Sequence, residues 1–227
     1  MELLKFFKKS FPTLIFIGIF SVVSIFVFYK IQTPETKLPV FNPTDVNPRL
    51  VDASKRHVRN SHKIGAFNLV DQNGDSISNA TYKDKIYVAD FFFTRCESIC
   101  PIMTNYMTQV QGVYKTDSEI MFLSFSVTPN IDSISVLKDY ALKNSVIDTK
   151  WHLVTGNKKD IYKLARQSFF AALDKGDGGK QDFIHTEQFV LIDKKQQIRG
   201  FYDGTDKIQV NKLIEDIKIL KSEYRKP

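Results

Sequence analysis

The chain has 227 residues, 43% of them hydrophobic and 19 of them Phe, which is enough for one domain with a real core plus an appendage. A net charge of +7 would permit contact with nucleic acid or a membrane surface. The lysines, however, are scattered singly and in pairs beside acids, with no basic stripe interleaved with aromatics, and this argues against a nucleic-acid binder.

Residues 10–29, SFPTLIFIGIFSVVSIFVFY, carry no charge. About 20 apolar residues cross a bilayer as a helix. The run is longer than the apolar region of a signal peptide and ends in FVFYK without a small-residue cleavage pattern, so it is read as a retained anchor rather than a cleaved leader. Lys5, Lys8 and Lys9 precede it and predict a cytoplasmic N-terminus. Residues 1–30 are thus expected to be a short cytoplasmic tip and a single-pass anchor in the inner (cytoplasmic) membrane. The rest faces the periplasm or an equivalent space. Residues 31–60 contain TPETKLPVFNPTDVNPRLVD, with four prolines and no hydrophobic period, and are expected to be an extended tether.

Residues 61–227 read as the globular part. FNLVDQNGDSIS alternates around Asn73 and Gly74, the pattern of a hairpin. KIYVADFFF is an unbroken apolar run, as expected of a buried central strand. Pro101 suits the first turn of a helix running through IMTNYMTQVQGVY. EIMFLSFSV is a second buried strand. DSISVLKDYALKN follows as a helix with Asp132 as its expected cap. WHLVTG is a third strand and NKKDIYKLARQSF a third helix. EQFVLID and IRGFYDG flank KKQQ as an antiparallel pair, and DKIQVNKLIEDIKILKSEY closes the chain as a helix. Strands alternating with helices imply an α/β layer with parallel strands. The order is that of a thioredoxin-like fold with an N-terminal β-hairpin extension, preceded by one transmembrane helix.

Both cysteines lie in FFFTRCESICPIM, where the first buried strand delivers them to its carboxyl end. Open α/β sheets bind ligands there. Outside the cytosol such a pair is a disulfide, a redox couple or a metal site. A structural staple would close a very small loop for little entropic gain, and a domain of this size does not need one. C-x3-C is looser than the C-x2-C of thioredoxin-type couples, so Cys96 and Cys100 can converge on one point. A helix N-terminus favours the thiolate, and thiolates are soft ligands that select Cu(I) among other metals. Two thiolates leave a metal under-coordinated, so a third donor is expected. Of the four histidines, His57 and His62 fall in or at the end of the tether and read as mobile surface residues, and His152 reads as a packing or surface residue of a strand. His185, after the glycine-rich DKGDGGK and just before a strand, is the candidate ligand: a flexible loop could swing it over the thiols. Met103, Met107, Met121, Trp151 and the Phe run read as core.

FFFTRCESICPIM, FLSFSVTPNIDSISVLKDYA, WHLVTG and FIHTEQFVLID, in this order and spacing, resemble the SCO/SenC family. The resemblance covers residues 64–220. It implies a membrane-anchored, thioredoxin-like copper protein that assists assembly of the binuclear copper centre of cytochrome c oxidase. It implies Cys96, Cys100 and His185 as ligands of Cu(I) or Cu(II), and the oxidase subunit carrying that centre as partner. It points to a delivery protein more than an enzyme. Thr128 stands where the family has an acid after the second buried strand, a departure that removes no ligand, and Asp132 keeps its place in the pattern. The rival readings are a thiol–disulfide oxidoreductase that keeps the partner's cysteines reduced, for which His185 is not needed, and a thiol peroxidase, for which no partner constellation is evident.

Overall fold

The two unbroken apolar runs form neighbouring strands in the middle of the sheet. In the computed structural model, which describes residues 2–32, 37–51, 56–59, 62–172, 178–179 and 181–225, they are β3 (Ile86–Phe92) and β4 (Ile120–Ser126), and every residue of both is buried. They pair in parallel, with Ile86 opposite Ile120 and Phe92 opposite Ser126. β4 pairs in parallel with β5 (Trp151–Thr155), and helices make the crossovers, α2 (Ile99–Val113) and α3 (Ile134–Lys143). After α4 (Lys158–Gln167) the chain returns as β6 (Gln188–Ile192), antiparallel to β3, and turns into β7 (Ile198–Asp203) and α5 (Lys207–Arg225). The expected hairpin is β1 (Asn68–Asp71) and β2 (Ser76–Ser78), closed at Gly74, whose φ of +85° suits glycine. It extends the sheet by pairing with β5, giving the order β2-β1-β5-β4-β3-β6-β7.

Because side chains alternate along a strand, each buried strand feeds two cores. Tyr87, Ala89 and Phe91 of β3 face one side with Phe125, Phe169, Phe170 and α4's Ile161 and Leu164. Val88 and Phe92 face the other with Cys96, Cys100, Met103, Met107, Trp151 and α5's Leu213 and Ile217. Each fully buried Phe or Leu contributes roughly 1.5–3 kcal/mol, so both cores hold the strand that delivers the thiols.

Residues 1–37 and 38–227 form separate units. The first is dominated by α1 (Glu2–Gln32), which includes an 18-residue stretch, Phe11–Phe28, of mean hydropathy 2.5, with none of it buried within the chain. A helix of that length and composition fits a membrane anchor.

Residues 38–51 correct the expectation of an extended tether. They lie against the sheet: Phe41 N–H donates to the Ile198 carbonyl at 2.9 Å, its ring packs edge-on against Phe201, and Val51 is fully buried. Proline lacks an N–H but keeps its carbonyl, and the Arg199 guanidinium takes the carbonyls of Leu38 (2.6 Å) and Pro39 (3.0 Å). Pro43 and Pro48 open two short 3-10 turns. His62 is a second correction. It is buried, not mobile: its Nε2 lies 2.8 Å from the Ser168 carbonyl oxygen and its ring 4.4 Å from that of Phe170. The cap of α3 is Ser133, whose hydroxyl accepts from Val136 N–H at 3.4 Å, and not Asp132.

Candidate metal centre

β3 ends at Phe92, and four residues later Cys96 closes a tight loop whose N–H reaches back to the Phe93 carbonyl at 3.3 Å. Cys100 is the second residue of α2, and its N–H donates to Cys96 Sγ at 3.4 Å. Helix N-termini leave such donors unpaired. The N-cap Ser98 makes no capping bond from its side chain, and Pro101 has no N–H to offer, so the Cys96 sulfur takes the capping role. Both cysteines are thiols and both are buried, on the α2 face of the sheet.

The two sulfurs differ. Burial acts to raise the Cys96 pKa, but the Cys100 N–H and the Ser98 hydroxyl, 3.6 Å away, favour the thiolate and the net result is about 7. Burial pushes Cys100 up to about 12, with the neighbouring Cys96 and Asp90 charges adding to the rise. Asp90 belongs to the same sheet face, two residues from Phe92. Its carboxyl accepts from the Ser124 hydroxyl, which in turn accepts from Trp151 Nε1 at 2.8 Å, and burial raises its pKa to about 7. Sequence reasoning passed over Asp90; the signal was an acid inside an otherwise apolar strand.

Asp132 holds the loop from the other side. Fully buried, its carboxylate accepts from the hydroxyls of Thr94 (2.6 Å), Ser126 (2.6 Å) and Thr128 (2.9 Å). The hydroxyl of Thr128, where the resembling family carries an acid, is a donor to Asp132. A carboxylate there would face Asp132 as a like charge.

His185 lies on the stretch between Asp182 and β6. Extending the β3–β6 register puts Gln188 level with Phe91, so this stretch enters the sheet at the end where the cysteine loop leaves it. The Phe183 ring meets Phe93 edge-on, centroids 5.2 Å apart. His185 itself is exposed, with no hydrogen-bond partner among the described residues. Among the described residues no three His, Cys, Asp or Glu side chains are close enough to hold a metal ion. The structure thus brings Cys96 and Cys100 together and sets the His185 segment beside their loop, with the imidazole still apart from the sulfurs. Of the glycine-rich loop, residues 173–177 and 180 lie outside the described residues. Gly178, at φ +71°, is buried and held to Asp182.

The other candidates fall elsewhere. His152 pairs through Nδ1 with Asp71 at 3.0 Å, near the hairpin. His57 is exposed. Met103 and Met107 are fully buried core under the cysteines, and Met121 lies in β4 on the opposite face.

A family model described as SCO1/SenC matches residues 55–221. The chain belongs to this family. Among curated relatives, the SCO1 protein homolog of Bacillus subtilis is 31% identical over 160 residues, spanning 70% of this chain and 82% of that one. A SCO1/SenC family lipoprotein of Bacillus anthracis, known as a crystal structure, is 32% identical with a TM-score of 0.63, over 70% of this chain and 95% of that one. BsSco, described as a Sco-family cytochrome c oxidase assembly protein with a disulfide switch, is 31% identical with a TM-score of 0.60, over 70% and 93%. These likenesses bear out the SCO/SenC resemblance and the thioredoxin-like fold.

Proposed function

We propose that this SCO1/SenC protein is a membrane-anchored copper chaperone that delivers copper to the binuclear copper centre of cytochrome c oxidase. The observation that carries the reading is the pair of cysteines at the N-terminus of α2, Cys96 Sγ accepting the Cys100 backbone N–H, with an exposed imidazole on the adjoining segment that has no hydrogen-bond partner among the described residues. Soft thiolates suit Cu(I), and an imidazole added to them suits Cu(II). Copper is the cargo. Cys96 and Cys100 take it, His185 joins them for Cu(II), and the metal passes by ligand exchange to the thiolates of the oxidase subunit carrying the centre. The apolar stretch of α1 anchors the chain in the inner membrane, with the globular unit in the periplasm or an equivalent space.

The test is copper titration of the reduced full-length chain in detergent. One equivalent is expected, lost in Cys96→Ser and in Cys100→Ser, with Cu(II) affinity falling at least tenfold in His185→Ala. Tight stoichiometric binding by a chain lacking both thiols overturns the reading.

The unequal thiols favour a second reading, a thiol–disulfide oxidoreductase acting on the partner's copper-ligand cysteines. Cys96 thiolate attacks the partner's disulfide to form a mixed disulfide. Cys100 then closes on Cys96, so the partner leaves as a dithiol and the two electrons come from this pair. That activity is expected to survive His185→Ala, which separates it from copper delivery.

A further inference from the structure

We infer that Asp132, acting through Thr94, is the positioning residue that presets Cys96 against Cys100 so that both sulfurs close on one atom. For its meaning in the protein this rests on the copper reading above; its geometry does not.

Asp132 is fully buried, and its two carboxylate oxygens have different tasks. Oδ2 accepts the hydroxyls of Ser126 at 2.6 Å and Thr128 at 2.9 Å, and the Asp132 N–H donates to the Thr128 carbonyl at 2.9 Å. The last residue of β4 and the turn after it therefore aim the group. Oδ1, so aimed, accepts the Thr94 hydroxyl at 2.6 Å. Hydrogen bonds to an ionised acceptor are about twice as strong as those between neutral groups. The Thr94 N–H reaches Oδ2 only at 3.4 Å, beyond the usual range for an N–H donor to oxygen. The hydroxyl bond is thus the short tie between the cysteine loop and the β4–α3 side of the sheet.

Thr94 follows Phe93, whose backbone addresses both cysteines. The Phe93 N–H is turned toward Cys100, where it favours the thiolate against burial. The Phe93 carbonyl accepts the Cys96 N–H, at a long 3.3 Å. On the strand side the chain is fixed as far as Phe92, whose carbonyl takes the Val127 N–H at 2.8 Å. On the helix side Cys100 is buried on the same core as the fully buried Met103 and Met107. The Phe93 ring packs against both cores, which fixes its side chain and leaves the direction of its carbonyl to be set by Thr94. Without the Thr94 hydroxyl only the two long bonds remain, and the peptide that carries Cys96 turns freely while Cys100 stays in place. Ordering one freed backbone residue again on binding lowers an affinity by about tenfold.

The experiment uses the full-length chain in detergent and needs no copper. Phenylarsine oxide binds a dithiol by forming two As–S bonds, while the two thiol protons leave with its oxygen as water. Its affinity, measured by competition with dimercaptopropanol, therefore reads whether both sulfurs reach one atom. Thr94→Val keeps the side chain's size, removes the bond to Asp132 and leaves the Ser126 and Thr128 bonds in place. It is expected to lower the affinity about tenfold, and Thr94→Ser to restore it. In a Cys100→Ala background, where one sulfur binds, Thr94→Val is expected to change nothing. Should Thr94→Val lose its far-UV circular dichroism, Thr94→Ala carries the measurement. An unchanged affinity in the folded variant, or an equal loss in both backgrounds, overturns the inference. So does a parent that holds the arsenical no more tightly than its Cys100→Ala variant, because its sulfurs are then not preset as a pair. A second arm repeats the comparison with Cu(I) competed against bicinchoninate; the same tenfold loss is expected, and an affinity that does not fall overturns the inference as well. If the unsubstituted chain takes up no copper, the chaperone reading fails while the arsenical affinities still decide the role of Asp132.

Discussion

Cys96 and Cys100 have the same side chain and opposite chemistry. Cys96 accepts the free N–H at the start of α2 and is drawn to a pKa of about 7, whereas Cys100 is buried under the helix and pushed up to about 12. The thiolate is the reactive form. Iodoacetamide is therefore expected to modify Cys96 ahead of Cys100, at a rate that rises with pH around a midpoint near 7 and flattens above it. Ser98→Ala removes a donor to the sulfur and shifts that midpoint upward. Peptide mass spectrometry of timed reactions reads both. Equal labelling of the two cysteines, or a midpoint at the ordinary thiol value of about 8.5, contradicts the asymmetry. Asp132 acts at the same scale. Its place in the motif was legible from the sequence, but a helix cap was the expected use. The structure spends its carboxylate on three hydroxyls around the cysteine loop instead, because Ser133 is one residue nearer the helix and Asp132 points into the core.

At the level of elements, β3 joins the two cores to the site, and Asp90 is its one buried charge-bearing group. Asp90, Ser124 and Trp151 link three adjacent strands on the cysteine face. Burial lifts the Asp90 pKa from 3.8 to about 7, so the unfolded chain ionises at lower pH than the folded one. Stability from this group is fully present below about pH 4 and is lost as pH rises through about 7. Asp90→Asn removes that loss. Relative to the parent, the variant is expected to gain on the order of 3 kcal/mol between pH 4 and pH 8, measured by urea unfolding at each pH. A difference between the two chains that does not change with pH rules this out. The strands themselves were readable from their apolar runs. Period-2 and period-3.6 patterning depends only on which residues face a core, and each strand and helix from the hairpin onward occurs where that patterning puts it.

For the molecule as a whole, the globular unit begins at Leu38, earlier than composition implied. Arg199, 6% exposed, binds the Leu38 and Pro39 carbonyls together with Glu223 (2.7 Å) and Asp193 (3.1 Å), and Glu223 also accepts from Leu38 N–H at 2.7 Å. One network thus fastens the segment that follows the anchor to β7 and α5. Glu223→Ala leaves a buried guanidinium short of a partner and frees Leu38. Partial exposure of Glu223 tempers the cost to about 2 kcal/mol. The full-length chain should show this as a lower urea midpoint with an unchanged slope. An unaltered midpoint means that the network does not hold the segment.

The linear pattern by itself determined the family, the order of strands and helices, the apolar N-terminal stretch and the three residues proposed as donors. All of these rest on short-range spacing or on residue types that few other roles require. Tertiary structure alone decided the rest: which thiol ionises more readily, what Asp90 and Asp132 hold, and that the prolines of residues 38–51 lie on the sheet. Those outcomes depend on partners far away in sequence, Arg199 for Leu38 and Phe93 for Phe183, and on burial that reverses the ordinary behaviour of a side chain. Neither long-range partnership nor burial is written in a local pattern, because both arise only when distant segments share one core.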